Sequence, residues 1–199
     1  TSLFGVFLNA LSGTYAYVKQ HRVYFKAAIP FAIATLPGAI LGSLVSDYFT
    51  GPTFSLSYGI FILIISAIMY WNSSNKKAIA TNFDETLFIT RKKLGIILSM
   101  FVGFISSIFG IGGGIIHVPV MIYALAFPPH MATATSHFVL AVSSFMGVTS
   151  HIFLNHIVWI PALAVGFGAV IGAQIGARLS KKTKPRSIIL LLCISLFLL

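Results

Sequence analysis

The sequence predicts an all-α polytopic membrane protein with about seven or eight transmembrane helices. Hydrophobic residues account for 57% of the 199 residues and charged residues for only 8%, a balance outside the usual range for soluble domains. Between its charged clusters the chain has continuous apolar stretches, close to the ~20 residues that a helix needs to cross the hydrocarbon core. Barrel strands would be shorter and would alternate apolar with polar residues. Spanning helices are therefore expected.

Eight apolar segments predict helices in order along the chain. The fifth is short for a full crossing, and a polar connection carrying Asp84 and Glu85 separates the third from the fourth. The predicted organisation is a first repeat over 1–71, a cytoplasmic linker over 72–93 and a second repeat over 94–199. The predicted helices lie at about 1–18, 24–46, 55–72, 94–109, 114–127, 132–154, 157–179 and 186–199.

An internal repeat relates the two halves of the chain. At a gap-free offset of 134 residues, Thr1-Ser2 aligns with Thr135-Ser136. At the same offset, Pro37–Ser46 aligns with Ile171–Ser180 in a shared frame G-A-x-x-G-x-x-x-S. Two matches at one offset indicate an internal duplication.

The basic residues predict how the chain crosses the membrane. The formal net charge is +10, but the charges lie in short clusters between apolar runs, which is a topology signal. No soluble basic domain is available to bind nucleic acid, so that function is not expected. The clusters are Lys19/Arg22, Lys76/Lys77, Arg91–Lys93 and Lys181–Arg186.

All of these clusters fall on the cytoplasmic side if the first one does, with connections at 47–53 and 154–157 outside. The loop at Lys19 is then internal, while its repeat mate near Asn155 is external. The two copies would therefore have inverted topology in a multi-pass inner (plasma) membrane protein. Inverted repeats with a broken helix are a recurrent transporter plan, with the binding site near the bilayer midplane.

A glycine cluster interrupts one apolar stretch and predicts a broken helix. Gly110, Gly112, Gly113 and Gly114 lie within a few residues of each other, and each interior glycine costs a helix roughly 1 kcal/mol relative to alanine. Exposed backbone at membrane depth is tolerated where it lines a polar cavity, and the amides of Gly112, Gly113 and Gly114 would favour an anion there. The alternative is close helix packing through small residues.

Hydroxyl groups at predicted helix starts are further candidate ligands for an anion. Thr135 and Ser136 have the mates Thr1 and Ser2 in the other copy, as a symmetric site would require. Capping of helix amides is the alternative role for these hydroxyls. Asn9 and its mate Ser143 are weaker candidates.

Three histidines lie in or near predicted spans, where ionisable groups are often functional. They are His117, His137 and His151, and a neutral, hydrogen-bonded role competes with proton transfer for each one. His137, next to the Thr-Ser pair, is included among the candidate substrate ligands. Their spacing does not match a metal site, so neither a metal nor a cofactor is expected.

The acidic residues argue against an enzyme. Asp47, Asp84 and Glu85 all fall in loops or at helix ends, so no buried carboxylate is expected to bind a cation or to act in hydrolysis. Three alternatives to an anion transporter stay open. One is a membrane enzyme acting on a phosphate or lipid substrate, and another is a proton- or metal-linked transporter that uses His117 and His137. The third is a non-transporting assembly partner that packs through its small-residue faces.

The motifs resemble the TauE/SafE family of sulfur-anion permeases. The resemblance lies in Phe109–Gly114 with Val118-Pro119, in Pro128–Ser136 and in Gly168–Gly176. It implies an inner-membrane transporter for sulfite, a sulfonate or a related sulfur oxyanion, often an exporter that works by alternating access. The family's first glycine-rich motif would precede Thr1. His117 and His137 stand where the family commonly has apolar residues. Whether the protein forms a homo-oligomer stays open.

Overall fold

The computed structural model describes residues 2–46, 52–74, 83–109, 113–153 and 159–198. Throughout these ranges the regular structure is helical, which confirms the predicted all-α polytopic class. By length and composition alone, four of the described helices are apolar enough to cross a membrane: α2, α3, α4 and α7. The helices are α1 (Ser2–Lys19), α2 (Phe25–Ser46), α3 (Pro52–Ser74), α4 (Glu85–Phe109), α5 (Gly114–Pro119), α6 (Pro129–Phe153), α7 (Trp159–Lys182) and α8 (Pro185–Leu198).

Several helix boundaries differ from those predicted by hydropathy. Helix α4 begins at Glu85, nine residues before the predicted start, so the basic residues Arg91–Lys93 lie on the helix. The predicted helix over 114–127 is α5 followed by a π-helical turn over Val120–Ala124. Pro119 has no N–H to donate to the Ile115 carbonyl, so one hydrogen bond of the α-helical ladder is missing just before the π-helical turn begins. Helix α6 begins at Pro129 rather than at 132, since proline suits the first turn of a helix.

Asp84 explains the early start of α4. Its Oδ1 accepts the N–H of Thr86 at 2.9 Å and that of Leu87 at 3.1 Å, as an N-cap residue does. These hydrogen bonds, that from Leu87 foremost, lower the pKa of the Asp84 carboxyl. A lowered folded-state pKa means that this stabilisation is present above the unfolded pKa of about 3.9 and is lost as pH falls through the folded value.

Replacing Asp84 with alanine should therefore fray the first turn of α4. Amide hydrogen exchange at Thr86 and Leu87 should speed up at neutral pH, because both N–H groups lose their acceptor. Asp84→Asn is the control, since its amide oxygen still accepts but does not titrate. Equal exchange in the wild type and Asp84→Ala at pH 7 would contradict the cap.

Polar contacts gather several helix ends at one end of the bundle, which we call the basic end. Lys26 and Glu85 form an ion pair of 2.7 Å between the starts of α2 and α4. Arg22, just after α1, contacts His130 at the start of α6 at 3.4 Å. Two side chains donate to backbone carbonyls there: Gln20 to Ala177 at 3.2 Å and Arg91 to Ala124 at 2.9 Å.

The described basic clusters therefore share one end of the molecule. The same contacts fix the helix directions: α1 runs towards the basic end and α2 away from it, while α6 runs away and α7 towards it. The offset of 134 residues found in the sequence pairs α1 with α6 and α2 with α7. Helix α2 begins at Phe25 and α7 begins at Trp159, which is the same offset. Paired helices thus run in opposite directions.

The interior is held together by an apolar core and by close helix contacts. Residues from α2, α3, α4, the π-helical turn, α6 and α8 form the largest buried cluster, which includes Phe31, Met121, Ile122 and Phe127. Many large apolar side chains point outwards instead, as expected for helices whose solvent is lipid. Examples are Trp71, Ile160 and Phe167.

Candidate functional site

The helix break lies between α4 and α5, at the predicted glycine cluster. Gly113 has a φ of 62°, in the left-handed region that favours glycine. Its carbonyl accepts the N–H of Ile116 at 3.2 Å and that of His117 at 2.9 Å, which starts α5. Residues 110–112 lie outside the described ranges. After Gly113 the chain runs back along α4, since His117 lies beside Ser99 and Ala124 beside Arg91.

The returning segment is too short to cross a membrane. Residues 114–124 cover about 16 Å at 1.5 Å per residue, roughly half of a ~30 Å hydrocarbon core. Their far end, Ala124, is held at the basic end by Arg91. Gly113 consequently lies about half the thickness of a hydrocarbon core away from the basic end, measured along the returning segment.

Buried polar groups of α4 face this hairpin. Ser99 and Ser106 are 1% and 7% exposed. The Nε2 of His117 lies 3.1 Å from Ser99 Oγ, and Ser99 Oγ donates to the Gly95 carbonyl at 2.7 Å. Ser106 Oγ lies 3.5 Å from the position that a Cβ on Gly113 would occupy. We call Ser99, Ser106, Gly113 and His117 the hairpin site.

These hydrogen bonds fix the tautomer of His117. A serine hydroxyl has one proton, and the Gly95 carbonyl can only accept it. Ser99 must therefore accept from His117, which places the imidazole proton on Nε2. The Nδ1 of His117 is then an acceptor, and it has no hydrogen-bond partner among the described residues. A buried polar atom without a partner is costly and calls for an explanation.

Thr135 and Ser136 lie inside α6 rather than at its start, because the helix begins at Pro129. Both side chains are buried. Thr135 Oγ1 accepts the backbone N–H of Tyr24 at 3.2 Å, just before α2, and Ser136 Oγ donates to the Thr133 carbonyl at 3.0 Å. Thr135 thus satisfies an amide at the start of another helix.

His137 packs against α1 rather than at the hairpin. Its Nδ1 donates to the Thr133 carbonyl at 3.0 Å, and its ring centre lies 5.2 Å from that of Tyr17. A Cβ on Gly13 would come within 2.7 Å of the imidazole Cδ2. This ring fills the α1–α6 contact, and glycine at position 13 leaves room for it.

The remaining candidates fall at several places. A Cβ on Gly114 would lie 3.2 Å from Leu140 Cδ2, one turn beyond Ser136 on α6. Asn9 is half-buried on α1. Ser143 donates to the Leu140 carbonyl at 3.2 Å. Gly112 and Thr1 lie outside the described residues, and so do the side chains of Ser2 and His151.

Two members of the hairpin site were not anticipated from the sequence. Ser99 and Ser106 are seven residues apart in an apolar span, a spacing that places them on one helix face. Two polar residues on one face of an otherwise apolar membrane helix are the sequence pattern that could have identified them. The ranges that the structure describes hold no group of three or more His, Cys, Asp or Glu side chains able to bind a metal ion.

Comparisons with known proteins identify the family. The profile of the sulfite exporter TauE/SafE family matches residues 1–199. The probable membrane transporter protein YunE of Bacillus subtilis is 35% identical over all of this chain and 77% of its own length. A probable membrane transporter protein of Methanocaldococcus jannaschii is 28% identical over 96% of this chain and 73% of its own length.

A third relative, a probable membrane transporter protein of Xylella fastidiosa, is 27% identical over 92% of this chain and 69% of its own length. No solved structure matches the chain. The names of the family and of these relatives indicate a membrane transporter rather than an enzyme. With its helical, apolar fold and a family match over its whole length, the chain belongs to the TauE/SafE family of membrane transporters.

Proposed function

We propose that this transporter carries a small sulfur oxyanion, sulfite or a related anion, across the cell membrane through the hairpin site. The observation that carries the proposal is the unpartnered Nδ1 of His117, a buried polar atom one helical turn from the break at Gly113. The sulfite exporter family supports the class of substrate. Gly112, Gly113 and Gly114 amides and Thr135/Ser136 hydroxyls remain proposed ligands.

The tautomer of His117 limits which protonation state of the anion can bind. A bare Nδ1 repels the oxygens of a fully deprotonated anion but accepts a hydrogen bond from an O–H group. A singly protonated oxyanion offers both an O–H for Nδ1 and charged oxygens for the Ser106 hydroxyl and glycine amides. We therefore propose that the protonated form is the one carried. The proton then travels with the anion.

Alternating access is the proposed route. The antiparallel pairing of α1 with α6, and of α2 with α7, supports an inverted repeat whose copies rock about a central site. The basic end is proposed to face the cytoplasm, following the excess of Lys and Arg in cytoplasmic loops. An inside-negative potential favours anion export by about 2.3 kcal/mol per charge per 100 mV, so export needs no coupling ion.

The direct test is efflux of labelled sulfite, sulfoacetate and sulfate from proteoliposomes, with and without an imposed potential. We expect selective efflux of one sulfur anion that speeds up when the compartment holding the anion is negative. Ser106→Ala should reduce that efflux at least tenfold, since a hydrogen bond to a charged group is worth about 1.5–3 kcal/mol. Ser195→Ala, which alters an exposed serine on α8, is the matched control.

Unchanged efflux in Ser106→Ala would remove the hairpin site from the pathway while leaving the transporter class intact. Absence of flux for all three anions, in vesicles that hold folded protein, would contradict the substrate class. The same assay with carboxylates and phosphate would then identify another anion.

A further inference from the structure

Helices α2 and α4 pack so closely that their contact requires glycine. A Cβ on Gly38 would collide with the carbonyl oxygen of Met100, and one on Gly42 with that of Phe104. From the other side, a Cβ on Gly103 of α4 would collide with the carbonyl oxygen of Thr35. Small residues that let two backbones touch are typical of packed membrane helices.

The repeat mate of α2 has the same glycines without the partner. Gly172 and Gly176 of α7 align with Gly38 and Gly42. A Cβ on either residue, or on Gly168 one turn earlier, would meet nothing within 4 Å among the described residues. These three residues are four apart and share one side of the helix, which we call the α7 glycine face.

The α7 glycine face is not the side that packs inside the bundle. Helix α7 contacts α1 through Gly166, whose Cβ position lies 2.5 Å from Leu8 Cδ1, and through Gln174, which donates to the Ser12 carbonyl at 2.9 Å. At 100° per residue these contacts lie on a different side from the glycines. The contact that α2 makes with α4 therefore has no counterpart on α7 within the described part of the chain.

We propose that the α7 glycine face is the docking site for a membrane-spanning helix of the same polypeptide that lies before α1 and packs as α4 packs on α2. In the second copy α4 precedes α6, so its mate in the first copy precedes α1. The relatives provide room for it: this chain matches 77% and 73% of two of them, which leaves about a quarter of each, more than the ~20 residues of one spanning helix.

The test uses the full-length polypeptide in nanodiscs that hold one copy each, with native cysteines changed to serine and a spin label at Gly172→Cys. We expect the label to be immobilised and its collision rate with oxygen to be at least threefold lower than that of a label at Phe167→Cys. Phe167 is the matched control, because it is 71% exposed on α7 and its repeat mate Ile33 is 61% exposed on α2.

Equal oxygen collision rates at the two positions would overturn the proposal in favour of a lipid-facing α7 glycine face. Immobilisation that occurs only in nanodiscs with two copies would overturn it in favour of a second copy of this chain. A variant without a label tests whether the label itself disturbs the packing. Gly172→Ala should lower the melting temperature of the single-copy protein, as we also expect for Gly38→Ala. An unchanged melting temperature would count against the docked helix.

Discussion

Replacing Gly38 with alanine should lower the free energy of unfolding by about 1–3 kcal/mol or more, the range for overpacking a close contact. The added methyl group would meet the carbonyl oxygen of Met100, which is backbone and cannot rotate away. Helices α2 and α4 would have to separate. Since α4 carries Ser99 and Ser106, we expect the hairpin site to loosen and transport to fall with stability.

Thermal unfolding in detergent or nanodiscs measures this effect. Gly59→Ala on α3 is the matched control, because a Cβ on Gly59 would meet nothing within 4 Å among the described residues. Alanine there should be neutral or slightly stabilising, since it favours the helix over glycine. Equal melting temperatures for the two variants would contradict the close α2–α4 contact.

Replacing His117 with glutamine should reduce anion efflux at least tenfold while leaving most of the stability intact. Glutamine places an amide N–H where His117 Nε2 lies, so it can still donate to Ser99. It has no group at the Nδ1 position, which is the atom without a partner. If Nδ1 binds the O–H of the carried anion, its loss removes a hydrogen bond to the ligand worth about 1.5–3 kcal/mol.

A second variant separates binding from packing. His117→Leu loses both nitrogens and should lower stability as well as efflux, because Ser99 loses its buried donor. Flux of the same labelled anion, normalised to folded protein, is measured beside the melting temperature. Full activity of His117→Gln would show that His117 only supports the packing of α5 on α4.

The composition was sufficient to predict the helical membrane class, because the need to satisfy backbone hydrogen bonds in lipid acts on every stretch of about 20 residues separately. The break at Gly113 was also predictable, since four glycines within a few residues oppose a helix wherever they lie. The repeat required only a comparison of the sequence with itself, and the family resemblance was confirmed over residues 1–199.

The helix ends were less predictable, because they depend on capping and on proline as well as on hydropathy. The cap by Asp84 lets α4 begin in the polar sequence before its apolar run. Helix α5 gives way to a π-helical turn directly after Pro119, although the apolar run continues unchanged. Both features are visible in the sequence, but their effect on length is decided by local hydrogen bonding.

Only the tertiary structure decided which polar groups meet. Ser99 and His117 are brought together because the chain folds back at Gly113. Thr135 is directed to the amide of Tyr24, and His137 to Gly13 of α1. Successive side chains on a helix point about 100° apart, so Thr135 and His137, which are two residues apart, point in nearly opposite directions and face different neighbours. Hydropathy determined which segments enter the membrane, whereas the rotation and crossing of the packed helices determined which side chains form the hairpin site.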